Sequence, residues 1–372
     1  MVAALRVAGL EAALVASNDD GPSLMREPTD RWIEHRGIPV RLFPRWSPPI
    51  RPLREFAYAP GLARWLENHL QDWDLLHVHS LFSWPATRGM AIARSQGTPY
   101  LIHCLGHLQP WSLGQSAWRK RVYLALIERR NLDGAAALQA TSPMEAADFA
   151  RLRLRPPAID LPLGVCLPEL RHDARDRVEQ AIPRLEPGVP RLLFLSRLHP
   201  KKGLERLLEA LALLGRHEPQ RPWQLLIAGS GEPAYEQHLR RLAEDLGIGD
   251  RCHWLGFVSG ERKDLLLQGC DWFVLPSSAE NFGIAVAESL AAATPVLLSP
   301  GVGVAAAVLE AGAGLVSPAA PPELAGALRE ALDRPRAPLA LSARRLAEDR
   351  YGWPSLAQRM IHTYEEILRA HG

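Results

Sequence analysis

RLLFLSRLHPKKGLERLLEALALLG, residues 191–215, decides the fold. Its first six residues form an apolar run too short for a helix, flanked by a turn, and are read as a buried strand. A turn carrying Arg197, Lys201 and Lys202 follows, and from Gly203 onward leucines recur at helical spacing. The same unit repeats downstream. WQLLIAG, CHWLGF, DWFVLPS and PVLLS read as strands, while AYEQHLRRLAEDLG, ERKDLLLQG and GIAVAESLAAA read as the helices between them. Short apolar runs alternating with helices specify parallel βαβ units and a doubly wound α/β domain.

Working outward, the first half alternates in the same way. EAALVAS, DLLHVHS, TPYLIHC and AAALQATS are strand signals, with GLARWLENHL and AWRKRVYLALIERRNL as helices. The proline-rich residues 151–170 and the charged residues 171–190 interrupt the pattern. They set a boundary between a first domain over 1–170 and a second over 171–352, with a final helix over 353–372 able to pack back on the first. Two such domains in tandem place a ligand cleft between the carboxyl ends of two sheets. Residues 1–9 read as the end of a helix leading into EAALVAS, without the opening strand and glycine-rich turn of a doubly wound domain. The expected start therefore lies upstream, or the gene is truncated.

Composition narrows the function. With 372 residues and a net charge of +2, the chain is too balanced to have nucleic acid as its main partner. Four scattered cysteines, Cys104, Cys166, Cys252 and Cys270, have no zinc spacing and point to a reducing, cytoplasmic compartment. Residues 289–309 carry no charge, but their prolines and glycines predict helix, strand and loop instead of a membrane span.

Of 43 basic residues only Lys120, Lys201, Lys202 and Lys263 are lysine, so the side-by-side pair in PKKG is notable. Cations at a strand end, beside free helix N–H groups, suit a diphosphate. GSGEPA, beginning at Gly229, fits a loosened dinucleotide fingerprint, but no acidic residue ends the following strand to hold a ribose. Asp72 and Asp74 resemble a metal-holding D-x-D, yet they open directly into a strand and mark its turn. No metal is expected. His77 and His79 share one face of that strand, with His79 nearer its carboxyl end. Glu280 falls in the loop beyond DWFVLPSS, Asn281, Phe282 and Gly283 form the turn into the next helix, and Glu288 lies about one turn inside it. A carboxylate accepts hydrogen bonds only and suits the paired hydroxyls of a sugar.

These residues resemble a known family. The ordered run LSRLHPKKG, LLIAGSGE, WLGFVSGERKDLLLQGCDWFVLPSSAENFGIAVAESLAAATPV and GAGLVSP is similar to the donor-binding domain of family 4 glycosyltransferases with the GT-B fold. LLHVHSLFSWPA, the LGHLQPW segment and RYGW extend the resemblance to the bacterial surface-polysaccharide type. The resemblance implies a retaining, metal-independent transfer of a sugar, without a cofactor, from a UDP- or GDP-sugar to a glycan or lipid-linked acceptor. It implies that Arg197 and Lys202 neutralise the leaving diphosphate, that Glu280 holds the transferred sugar, and that Asn281, Phe282 and Gly283 offer backbone contacts. Glu288 would grip the ribose, and Gly229 would bring backbone to the donor. His79, Gly106 and His107 are the acceptor-side candidates. The chain departs from the family at Leu105, where many members carry histidine, at Leu163 and Cys166 in place of asparagine and aspartate, and at Ala293 in place of glycine. WSLGQSAWRKRVYLALIERR is basic and aromatic and suits peripheral contact with the inner face of an anionic membrane, or else a helix covering the sheet. The alternatives are a non-catalytic nucleotide-sugar-binding protein and an NAD-dependent oxidoreductase.

Overall fold

The computed structural model describes residues 1–115 and 117–371, which divide into two compact units. Unit 1 runs from Met1 to Pro162 and resumes at Leu356, while unit 2 is continuous from Leu163 to Ser355. The chain changes unit before the expected residue 170. Leu163, Val165 and Leu167 pack on the second core, and the Val165 N–H donates to the Tyr351 carbonyl at 2.8 Å.

In unit 1, β1 (Leu14–Ser17) lies parallel to β5 (Ile38–Phe43), which pairs antiparallel with β4 (Trp32–His35). Asp19–Asp20 (β2) and Ser23–Leu24 (β3) make a small hairpin. A second sheet is wholly parallel, in the order β6 (Leu76–His79), β7 (Tyr100–His103), β8 (Ala137–Ala140), β9 (Ala158–Asp160). Helix Pro60–His69 turns Leu62, Ala63 and Leu66 inward, where they join Met90, Ile102 and Leu138 in the core. AWRKRVYLALIERRNL is helical as the spacing predicts, with a π-helical turn over Leu124–Glu128 between Ala117–Tyr123 and Arg129–Asp133. The helix Trp353–His371 belongs to this unit from Leu356 on, and its Tyr364 hydroxyl lies 2.7 Å from Nδ1 of His77.

Unit 2 holds one six-stranded parallel sheet built from β10 (Arg191–Leu195), β11 (Gln224–Ala228), β12 (Cys252–Gly256), β13 (Trp272–Leu275), β14 (Val296–Leu298) and β15 (Gly314–Val316). Its order is β12-β11-β10-β13-β14-β15. Helices cover the sheet, so strands such as β11 and β13 are buried along their whole length and read as apolar runs without alternation. The order reverses between β10 and β13, and at such a switch point the strand ends part to leave a ligand crevice. Residues 289–309 resolve into the end of helix Ile284–Ala291, β14 and the start of helix Ala305–Glu310. Among the described residues no helix is long and apolar enough to cross a membrane.

Ala293 closes the helix Ile284–Ala291 in a left-handed conformation, φ +56°. A Cβ in that region costs about 1–2 kcal/mol, partly offset by the lower entropy of an unfolded alanine. Ala293→Gly is therefore expected to raise the stability of unit 2 by about 0.5–1 kcal/mol in urea unfolding. A loss of stability would show that this backbone strain is already relieved in the native state.

Candidate active site

The residues singled out in the second half converge at the switch point of the six-stranded sheet. After β10, Ser196 N–H donates to the Ala228 carbonyl at 3.1 Å, Leu198 buries to anchor the turn, and Arg197 projects into solvent. His199 then caps a 3-10 turn over Pro200–Lys202, its Nδ1 accepting from Lys201 N–H at 3.1 Å. Gly203 follows with φ +77°, and a Cβ there would stand 2.3 Å from the Pro276 carbonyl oxygen. Only glycine lets the turn after β10 press against the segment leaving β13. That contact is sealed by Ser277 and Ser278. The Ser278 N–H (2.9 Å) and the two hydroxyls (3.0 and 3.1 Å) donate to the Lys201 carbonyl.

Glu280 is fixed through its backbone. Its N–H donates to the Gly301 carbonyl at 2.8 Å, and its own carbonyl accepts from Gly303 N–H at 2.9 Å. Its carboxylate is ion-paired with the ammonium of Lys202 across the switch point. Partial burial lowers the pKa of neighbouring Lys201, with the positive charges of Lys202 and Arg197 acting in the same direction against Glu280. Three cations held this close favour an incoming polyanion. Phe282 turns its ring into the core, edge-on to Tyr351 at 5.4 Å, and so offers only its backbone to a ligand. Gly283, φ +97°, opens the helix Ile284–Ala291, whose first N–H groups have no carbonyl partner within the helix.

Glu288 stands on that helix and meets Lys263 Nζ at 2.5 Å. Lys263 lies on the helix Gly260–Gly269 and was not singled out from the sequence. Its signal was present all the same, because it is one of only four lysines and three of the four stand at this edge of unit 2.

Gly229 has φ +141°, and a Cβ there would fall 1.8 Å from the Ser196 carbonyl oxygen. Its need for glycine is explained by the neighbouring turn. GSGEPA is poorly suited to a dinucleotide, since Gly231 N–H donates to the Glu236 carboxylate at 2.6 Å and Glu232 stands at the N-cap position of the helix Pro233–Asp245. Two carboxylates at that helix start repel a pyrophosphate.

In unit 1 the acceptor-side candidates gather at the carboxyl ends of β6 and β7. His79 Nδ1 lies 3.2 Å from His103 Nδ1, and the His77 ring stacks on His79 with centroids 4.3 Å apart. Burial, with the charge of His107 adding, lowers the His103 pKa to about 4. His107 Nδ1 accepts from Leu81 N–H at 3.1 Å, which leaves the ring proton on Nε2. Its pKa is lowered by burial and by the charge of Lys120. Gly106 N–H donates to Glu145 Oε1 at 2.8 Å, and Glu145 Oε2 accepts from Thr141 N–H and Oγ1. Glu145 escaped the sequence reading because S-x-x-E at Ser142 reads as a simple capping box. Its buried carboxylate instead ties the loop after β7 to the end of β8. Leu105, φ +54°, is exposed on that loop where the family often has histidine. Asp72 pairs with His69 at the opposite, amino end of β6. Among the described residues no His, Cys, Asp or Glu cluster suits a metal.

The family described as glycosyl transferases group 1 matches residues 176–349, and the glycosyl transferase 4-like domain matches residues 1–164. The chain belongs to the group 1 glycosyltransferases. D-inositol 3-phosphate glycosyltransferase 2 of Catenulispora acidiphila is 30% identical over 330 residues, covering 84% of this chain and 76% of the relative. Among solved structures, the sucrose-phosphate synthase of Thermosynechococcus elongatus superposes with a TM-score of 0.75 at 22% identity, over 99% of this chain and 91% of that one. Anabaena Alr3699/HepE in complex with UDP gives 0.70 at 22% identity, over 89% and 87%. This glycosyltransferase has the GT-B fold, with α/β units and parallel sheets as expected.

Proposed function

We propose that this glycosyltransferase moves a hexosyl group from a UDP- or GDP-sugar to an acceptor hydroxyl, with retained anomeric configuration and no resident metal, in bacterial polysaccharide or glycan synthesis. The observation that carries the reading is the Lys202–Glu280 pair at the switch point, beside Lys201 and Arg197. A cation and a carboxylate locked together there match the two sides of a sugar diphosphate. Arg197 and Lys202 take the charge that develops on the diphosphate oxygen as its bond to the anomeric carbon breaks. Glu280 accepts from hydroxyls of the sugar. The acceptor oxygen bonds to the anomeric carbon, and its proton leaves with the nucleoside diphosphate. Glu288, oriented by Lys263, accepts from the ribose, while N–H groups of residues 281–283 face the donor. His79 and His107 hold the acceptor, the latter on a segment whose Gly106 N–H is tied to Glu145. Relatives support the donor class, since Alr3699/HepE was solved with UDP-glucose. The name of the Catenulispora relative points to a phosphorylated polyol as one acceptor class.

Thermal unfolding with UDP, GDP, ADP, CMP and NAD tests the donor site. At a hundredfold excess over its dissociation constant the bound nucleotide is expected to add about 2.7 kcal/mol. Glu288→Ala should abolish that shift. A shift with NAD alone, or one that Glu288→Ala leaves intact, would overturn the assignment.

A further inference from the structure

We propose that Phe82 sets the specificity for the acceptor, as an apolar wall against the C–H face of a sugar ring, and that buried Glu128 is its positioning residue. Of the eight described non-glycine residues with positive φ, three lie on the loops after β6 and β7. They are Ser80 (+79°), Phe82 (+59°) and Leu105 (+54°). For a side chain as bulky as phenylalanine the left-handed region is an outlier, and such strain persists only where the surroundings over-determine it.

The loop after β6 is held along its length. Ser80 N–H donates to the His103 carbonyl at 2.9 Å, Leu81 N–H to His107 Nδ1 at 3.1 Å, and Trp84 N–H to the Phe56 carbonyl at 2.8 Å. The Leu81 side chain is buried. Phe82 N–H makes a long bond, 3.4 Å, to Glu128 Oε1. A phenylalanine that only filled the core would take an ordinary backbone conformation. The strained one places the Phe82 ring 6.2 Å from that of His107 and 6.1 Å from that of Tyr123, partly open to solvent.

Glu128 is fully buried at the end of the π-helical turn. A carboxylate taken out of water costs more than an apolar side chain of its shape, so packing alone does not call for one. Its oxygens hold the surroundings of Phe82. Besides Phe82 N–H, Oε1 accepts from Thr87 Oγ1 at 2.5 Å, and Oε2 accepts from Asn131 Nδ2 at 3.2 Å. Thr87 Oγ1 lies 2.9 Å from the Tyr123 hydroxyl, so one carboxylate steadies both the Phe82 backbone and the ring beside it. Lys120 Nζ, 5.6 Å over the Phe82 ring, donates to the Ser112 carbonyl at 2.7 Å, and an ammonium has further N–H groups for sugar oxygens. An aromatic wall with a few polar groups at its rim suits a pyranose, which carries C–H groups on its faces and hydroxyls around its edge. The inference rests on the reading of unit 1 as the acceptor side.

Initial rates test it, with UDP-glucose as donor, or GDP-mannose where GDP gives the thermal shift. Methyl β-D-glucopyranoside is the ring-shaped acceptor and glycerol the open-chain one. The wild-type chain is expected to favour the glucoside at least tenfold in kcat/KM. Phe82→Ala and Glu128→Gln should each erase that preference by raising the KM for the glucoside about tenfold, with kcat changed less than about threefold. Phe82→Leu, which keeps an apolar wall, should retain it. The double variant of Phe82→Ala with Glu128→Gln should be no worse than Phe82→Ala, because Glu128 acts through that ring. An intact thermal shift with the nucleotide identifies folded variants. No preference in the wild type, a preference that survives Phe82→Ala, a loss confined to kcat, or losses that multiply in the double variant would each overturn the inference. Donor hydrolysis without transfer to either probe would overturn it and leave the donor site standing, whereas no turnover of donor at all would overturn the transferase reading and this inference with it.

Discussion

Lys202→Met is expected to lower kcat/KM for sugar transfer by about 10²–10³, the loss seen when one well-placed group that stabilises developing charge is removed. The ammonium is partly buried and already paired with Glu280, so little reorganisation is needed when the diphosphate arrives. Removing it also leaves Glu280 without its partner, which alone would disturb the turn. The double variant Lys202→Met with Glu280→Gln, set against Glu280→Gln alone, separates the two effects. If Lys202 acts on the leaving group, the double variant is slower again than Glu280→Gln. If it serves only to neutralise Glu280, the double variant matches Glu280→Gln. A single variant retaining more than about a third of kcat/KM would remove Lys202 from the chemistry.

Gly229→Ala is expected to destabilise unit 2 by about 3 kcal/mol or more, read as a lower urea midpoint. The added carbon would lie 1.8 Å from the Ser196 carbonyl oxygen, a backbone atom that no rotamer change can move. Gly229 N–H also donates to the Gly256 carbonyl at 2.7 Å, which pins it from the other side. A change under about 1 kcal/mol would mean that the turn after β10 yields readily, and the tight packing assigned to it would be wrong.

How much of this was legible in the sequence depends on the distance over which each interaction acts. The strands of unit 2 were readable because a strand buried on both faces must be apolar throughout. Lysine scarcity exposed Lys201 and Lys202 because they stand together at a strand end. Lys263 was hidden because ERKDLL is an ordinary helical pattern, and its partner Glu288 lies 25 residues on. Phe282, in the same turn as Asn281 and Gly283, gave no sign that its ring would leave the site for Tyr351. The prolines of residues 151–170 mark a change of direction and place the boundary eight residues late, after 170 instead of after 162, whereas apolar contacts of Leu163 and Val165 settle the unit. In unit 1 the strand pattern revealed His77 and His79. Nothing local revealed that His77 would meet Tyr364, 287 residues away.

That last contact bears on the order in which the chain is made. Unit 2 is one uninterrupted stretch and has everything it needs once Ser355 has left the ribosome. Unit 1 is translated first but stays unfinished, with the side of His77 that meets Tyr364 uncovered until the segment from Leu356 emerges. The half synthesised earliest is thus completed last, and during that interval it is the half open to chaperones and proteases.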